Sequence, residues 1–230
     1  MPREEQLEGY IDRLDRESYT VFILPSLPCD LKIIMYNSEC KRVPATWGAI
    51  LAAAGFLVCF RGLPLSEVDI EANGENSRVR FSDLDGKMSI TLPKCKQLLE
   101  KTQIFSGNVE KTIKKLKIKS PSVDLISAKT CDTDLFDGEH LLSLLLAEGG
   151  VDLALAYSVE GNTIRTKFRA ARPISDVALI SALAAYASVG ERGRYRILSS
   201  EEKITLEATY DGIRVSLPPP RFMRFDTPYL

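Results

Sequence analysis

Thr46-Trp-Gly-Ala-Ile-Leu-Ala-Ala-Ala-Gly-Phe-Leu57 and Asp176-Val-Ala-Leu-Ile-Ser-Ala-Leu-Ala-Ala-Tyr186 are the two segments on which the fold turns. Alanine and large aliphatics run nearly all round each of them, leaving no wide polar face. Such a pattern predicts a helix enclosed by other elements, with small side chains that let strands approach closely. Pro44 or Thr46 starts the first helix. Ser175 is the expected N-cap of the second, which is read as 176–189, because its hydroxyl can accept a free first-turn N–H.

Outward from these helices the two halves read alike. In the first, a strand at 30–36 precedes the helix, and strands at 67–71, 77–83 and 87–92 follow it. In the second, strands at 151–157 and 163–168 precede the helix, and strands at 195–198, 203–210 and 213–217 follow. The runs Asp85-Gly-Lys-Met-Ser-Ile-Thr-Leu-Pro93 and Asp211-Gly-Ile-Arg-Val-Ser-Leu-Pro218 end alike. Each opens on Asp-Gly, which favours the positive φ angles of a tight hairpin. An internal repeat of this length predicts two pseudo-symmetric lobes, 1–118 and 119–230. The expected class is α+β, each lobe a mostly antiparallel sheet wrapped around a central Ala-rich helix.

Between the halves, 94–120 carries eight lysines against two glutamates. Thr112-Ile-Lys-Lys-Leu-Lys-Ile-Lys119 reads as a short amphipathic helix or an edge strand, where lysines discourage aggregation. A solvated face near the linker is the plain reading. A nucleic-acid patch usually interleaves aromatics or arginines with its lysines.

The 230 residues are 45% hydrophobic and 27% charged with a net charge of −1, an ordinary globular balance that draws the chain neither to nucleic acid nor to an anionic membrane. There is no apolar run of the ~20 residues that span a bilayer, and the first residues lack the apolar stretch of a leader, so the cytoplasm is the expected location. Five scattered cysteines without a C-x-x-C pair, and a single histidine, argue against a disulfide framework, a structural zinc site or a multi-histidine metal site. No cofactor is expected.

Leu24-Pro-Ser-Leu-Pro-Cys-Asp-Leu-Lys-Ile-Ile-Met-Tyr-Asn-Ser-Glu39 resembles the segment that leads into the first catalytic motif of the diaminopimelate epimerases, with Asn37 in their aromatic-Asn-x-Asp run. Ile164-Arg-Thr-Lys-Phe-Arg169 is similar to the strand before their second motif, and the helix from Asp176 to that motif's helix. The resemblance covers 12–225 and implies the diaminopimelate epimerase-like fold shared with the phenazine-biosynthesis-type isomerases. The family's usual opening strands have no counterpart in this reading.

The departures concern chemistry. Inverting a Cα requires one base to remove a proton and one acid to return it from the opposite face, and the epimerases use two cysteines at helix N-termini. Here those positions fall on Ala45 or Thr46 and on Val177, which carry no thiol. The resemblance therefore implies a degenerate member that has lost two-cysteine epimerase activity and acts as a binding or interaction protein. The alternative is a divergent, cofactor-independent isomerase with other acid/base groups.

The phenazine-type branch has Glu-Asp-Pro-Ala-Thr-Gly-Ser-Ala at the second helix, and this chain resembles it at Asp176, Ala178, Ser181 and Ala182. Where that branch has its catalytic glutamate, Tyr19 stands instead. Asp176 is then either a cleft acid/base group or a first-turn acid favoured by the helix dipole. Ser181 is either a ligand contact or a small packing residue. Arg169 aligns with an arginine that grips the substrate carboxylate, and otherwise serves as a surface or ion-paired arginine. Cys40 is the cysteine nearest the lost first motif, either a relocated acid/base or an incidental thiol. Thr46 and Asn37 complete the candidate substrate-binding set. His140 reads as a capping or surface residue, and Trp47 as an anchor for the first helix. The implied ligand is a small carboxylate. A homodimer would cover an incomplete sheet edge.

Overall fold

A computed structural model describes residues 19–60, 62, 64, 66–82, 86–105, 112–119, 122–130, 138–172, 174, 176–190, 193–199 and 203–219. Contacts divide them into two compact units, one up to Ile90 together with Pro218 and Pro219, the other Thr91–Leu217. The division falls at Thr91, so 91–118, read in the first lobe from sequence, groups with the second unit.

The first unit runs β1 (Thr20–Pro25), β2 (Leu31–Tyr36), β3 (Arg42–Val43), α1 (Trp47–Gly55), a π-helical turn (Phe56–Phe60), β4 (Glu67–Ala72), β5 (Glu75–Phe81) and the start of β6 (Met88–Leu92), whose last two residues belong to the second unit. Strand order is β1-β2-β4-β5-β6, with β3 alongside β2. Neighbours are antiparallel except β2 and β4, which are parallel, Leu31 opposite Ile70. A parallel pair needs a crossover, and α1 supplies it. Ile50, Leu51, Ala53 and Ala54 of α1 are buried, as are Ile33 and Met35 of β2, Val68 and Ile70 of β4, and Met88 and Ile90 of β6.

Two features of this unit depart from the sequence reading. An opening strand exists, because Thr-Val-Phe-Ile-Leu-Pro, β-branched and aromatic, pairs along its length with β2. The tightest hairpin is at Asn73-Gly74, where φ is 57° and 81° and Ala72 faces Glu75. Both residues of that turn have the positive φ that Asn-Gly favours.

The second unit runs α2 (Cys95–Leu98), β7 (Leu99–Phe105), β8 (Thr112–Lys119), β9 (Ser122–Lys129), α3 (Gly138–Gly149), β10 (Leu153–Glu160), β11 (Thr163–Ala170), α4 (Val177–Val189), β12 (Arg194–Leu198), β13 (Lys203–Ala208) and β14 (Ile213–Leu217). Strand order is β14-β13-β12-β11-β10-β9-β8-β7. The pairs β9/β10 and β11/β12 are parallel, and α3 and α4 lie in the respective crossovers. The lysine-rich run is β8, paired on both sides with β7 and β9. It is neither a helix nor an edge strand. Leu116 lies buried within it and Lys117 points out, so alternation, not charge, decides its conformation.

The two helices cover opposite faces of this sheet. Ile126 and Ala128 of β9 and Ala154 and Ala156 of β10 pack with Leu142 and Leu145 of α3. The intervening Ser127 turns the other way and meets Ser188 of α4. Ten of the thirteen residues of α4 are buried, which is why its sequence has no polar face. Gly190, at φ 117°, ends it with its N–H on the Tyr186 carbonyl, a left-handed cap that glycine adopts without strain.

At Asp211-Gly212 the glycine serves a close approach, since a Cβ there would strike the Leu92 carbonyl oxygen. At Asp85-Gly86 the glycine does take a positive φ, 63°.

Two aspartates stitch parallel pairs together. Asp30 donates its N–H to the Asp69 carbonyl at 2.9 Å and accepts the Asp69 N–H on Oδ2 at 2.7 Å. Asp152 does the same to Asp124, at 2.8 and 3.1 Å. The mixed architecture, mostly antiparallel strands with few helices, is α+β as expected. Among the described residues no helix is long and apolar enough to cross a membrane.

Candidate functional site

In the first unit the sequence-predicted residues gather before α1. Asn37 ends β2, and its Oδ1 accepts the N–H groups of Glu39 and Lys41 at 3.1 and 2.9 Å. Its carbonyl accepts the Cys40 N–H, and Cys40 sits at φ 57°. Asn37 thus organises an Asx-type turn, and its side-chain oxygen faces its own loop. Cys40 shares that turn and is partly buried.

Thr46 is the N-cap of α1, its Oγ1 accepting the Ala49 N–H at 3.2 Å. That hydrogen bond satisfies one of the first-turn donors that a helix leaves open. The residue before it, Ala45, is buried, and its peptide is gripped from both sides by Asn73. Asn73 Oδ1 accepts the Ala45 N–H at 2.7 Å, and Nδ2 donates to the Ala45 carbonyl at 2.9 Å. Sequence reasoning passed over Asn73, although the Asn-Gly dipeptide marks it. Trp47 is the first residue of α1 and half-buried, and Tyr19, just before β1, is 49% exposed.

In the second unit Asp176 takes the N-cap position of α4, one residue later than the cap expected at Ser175, which lies outside the described residues. Its backbone is left-handed, φ 57° and ψ 28°, and its side chain makes no capping hydrogen bond. Aspartate tolerates that region better than most residues, yet a strained position at a helix head is where functional groups often sit. Val177 opens the helix and carries no proton-transfer group.

Ser181 is fully buried one turn further in, and its Oγ has no hydrogen-bond partner. At the other end of α4, three hydroxyls meet. Ser188 Oγ lies 3.0 Å from Ser127 Oγ and also hydrogen-bonds the Tyr157 phenol, which burial pushes above its ordinary pKa. Tyr157 is 2% exposed. Nothing in the sequence linked these three, which come from β9, β10 and α4.

Arg169 stands apart from α4. It opposes Ala154 in the β10–β11 ladder and donates from Nη1 to Ser143 of α3 at 2.7 Å. It therefore serves the face of the sheet that α3 covers, while Asp176 and Ser181 belong to the helix on the other face. His140 lies in α3, and its side chain is outside the described residues.

Two arginine–aspartate pairs are structural. Arg78 holds Asp69 with Nε and Nη2 at 2.6 and 2.8 Å, and that hydrogen bonding pulls the Asp69 carboxyl below its usual range. Arg172 does the same to Asp152 at 2.8 Å. Among the described residues no group of three or more histidine, cysteine, aspartate or glutamate side chains is placed to hold a metal ion.

No family model and no curated protein matches this sequence. Solved structures do. A protein from Clostridium difficile (strain 630), assigned to phenazine biosynthesis as PhzC/PhzF, superposes with a TM-score of 0.65 at 10% identity, over 99% of this chain and 88% of its own. A Bacillus anthracis phenazine biosynthesis protein of the PhzF family gives 0.63 at 9%, over 94% and 85%. An Enterococcus faecalis protein of the same family gives 0.61 at 13%, over 95% and 85%. At such identities the likeness is one of fold, and that fold is the diaminopimelate epimerase-like one.

Proposed function

We propose that this chain is a binding protein on a diaminopimelate epimerase-like scaffold that has lost two-base proton transfer. One observation carries the reading: the N-terminus of α1 is closed chemically. Ala45, buried and clamped by Asn73, stands where a proton-transferring thiol is needed, and the Thr46 hydroxyl is committed to the Ala49 N–H. The N-terminus of α4 offers Val177, equally inert. The same order of connections in both units, with a helix crossing between parallel strands, supports descent from a duplicated ancestor. Its ligand is a small carboxylate, a second copy of the chain is its candidate partner, and its setting is the cytoplasm.

The test is Cα–H exchange in D2O across a panel of amino acids that includes diaminopimelate. Epimerases and isomerases both wash out this proton, so the assay presupposes no product. Traces that stay at the protein-free control are the expected result, and exchange above it overturns the reading.

A second reading has its own support. Asp176 heads α4 in a left-handed backbone, and the similar solved structures are named for phenazine biosynthesis. It makes the protein a cofactor-independent isomerase in which Asp176 moves the proton. Exchange that disappears in Asp176→Asn, with the circular dichroism unchanged, establishes it. Exchange that persists in that variant removes Asp176 from the chemistry.

A further inference from the structure

The second unit contains an open cavity of about 230 Å³ on the side of the sheet that α3 covers, lined by Glu100, Lys117, Asp124, Gly149, Gly150 and Val151 among others. Its charged residues are arranged in a row. Glu100 of β7 is in register with Lys117 of β8, and Lys117 with Asp124 of β9. Adjacent strands lie about 4.8 Å apart, so the row presents acid, base, acid at one-strand spacing. Asp124 shares its face with Ile126, two residues on, which packs against α3.

The opposite wall is the end of α3. Gly150, at φ 57°, closes that helix with its N–H on the Leu146 carbonyl, and the last turn holds no basic residue. The negative end of the helix dipole therefore lies at the cavity wall, with no basic residue in the helix's own last turn to offset it. At Gly150 nothing lies within 4 Å of where a Cβ would stand, so the space beside it is open. The base and one acid of the row meet only at 3.7 Å, with 48% and 55% of their side chains exposed. A pair that long and that open contributes little, so both members can turn to a ligand at small cost.

We propose that this cavity binds a small zwitterion, with ammonium and carboxylate one or two carbons apart. The carboxylate pairs with Lys117. The ammonium lies against Asp124 and the carbonyl end of α3, and Glu100 adds to the negative side. A simple anion would meet two carboxylates, and a simple cation would leave Lys117 without a counter-charge on the ligand, so a ligand with both charges engages every member of the row. The cavity size suits a compact molecule of this class. The site lies on the face of the sheet opposite α4, so it is separate from the Asp176 position and independent of whether the scaffold catalyses anything.

Isothermal titration of the full chain tests it, with glycine and β-alanine as probes and acetate and methylammonium as single-charge controls. Binding of a zwitterion with neither control competing is the expected result. Lys117→Gln and Asp124→Asn should each weaken binding roughly tenfold to a hundredfold, the range of one charge-assisted hydrogen bond. Asp124→Asn leaves the backbone clamp to Asp152 in place, and circular dichroism of each variant checks the fold. Absence of binding by both probes overturns the proposal. So does binding that either single-charge control displaces equally well, or that survives both substitutions.

Discussion

Replacing Ser181 by alanine should stabilise the protein. The residue is fully buried in α4, and its hydroxyl has no partner. Burying an unpaired hydroxyl costs about 1–3 kcal/mol in protein mutational data. Alanine also favours the helix over serine by about 0.5 kcal/mol. Against these, removing one oxygen leaves a void of atomic size, a loss of roughly 0.5 kcal/mol at the usual cavity coefficient. The balance favours Ser181→Ala by about 1–3 kcal/mol, a rise of roughly 2–12 °C in Tm for a chain of this size. Urea denaturation followed by far-UV circular dichroism measures it, with the m value expected to stay constant. Ser188→Ala is the internal contrast. It deprives both Ser127 and the Tyr157 phenol of a partner, and should destabilise by about 1–3 kcal/mol. If Ser181→Ala destabilises instead, the hydroxyl has a partner after all, and its role as a ligand contact returns to the foreground.

Acid should loosen the β9–β10 junction. Arg172 first, and then the backbone hydrogen bond to Asp124, lower the pKa of Asp152 in the folded protein. The stability this contributes is present above the ordinary carboxyl pKa and is lost as pH falls through the depressed folded value. Asp152→Asn should flatten that part of an acid titration followed by circular dichroism, and a titration identical to the parent's refutes the assignment. Asn73→Asp should keep the Oδ1 acceptor but replace the Nδ2 donor by an oxygen facing the Ala45 carbonyl. A loss of about 1 kcal/mol, with faster amide exchange at Ala45 and in the first turn of α1, is expected by hydrogen-exchange NMR. Unchanged exchange there means that Asn73 does not hold the helix start.

Much of this was legible in one dimension. Alanine all round α1 and α4 announced enclosed helices, and alternating runs bounded by Asp-Gly located β5, β6, β13 and β14 within a few residues. Two misses were also written in the sequence. Thr20–Pro25 has the composition of a strand, with β-branched and aromatic residues in a row. In β8 the lysines suggested a solvated linker, while the period that places Leu116 inward and Lys117 outward marked a strand.

Side-chain fates were another matter. Whether Arg169 faces a ligand or Ser143 depends on which helix covers its side of the sheet, 26 residues away. Whether Ser181 is satisfied, and Ser188 paired with Ser127 across 61 residues, depends on how α4 sits on β9 and β10. Sequence by itself determined the two enclosed helices, the strands that flank them and the absence of a thiol at either helix start, because periodicity, turn residues and residue identity are local properties. The tertiary structure alone decided that Asn73 grips Ala45, that Asp152 clamps Asp124 and that Asn37 serves its own loop. A hydrogen bond is made by whichever donor and acceptor the packing brings within about 3 Å, and no local pattern records that distance.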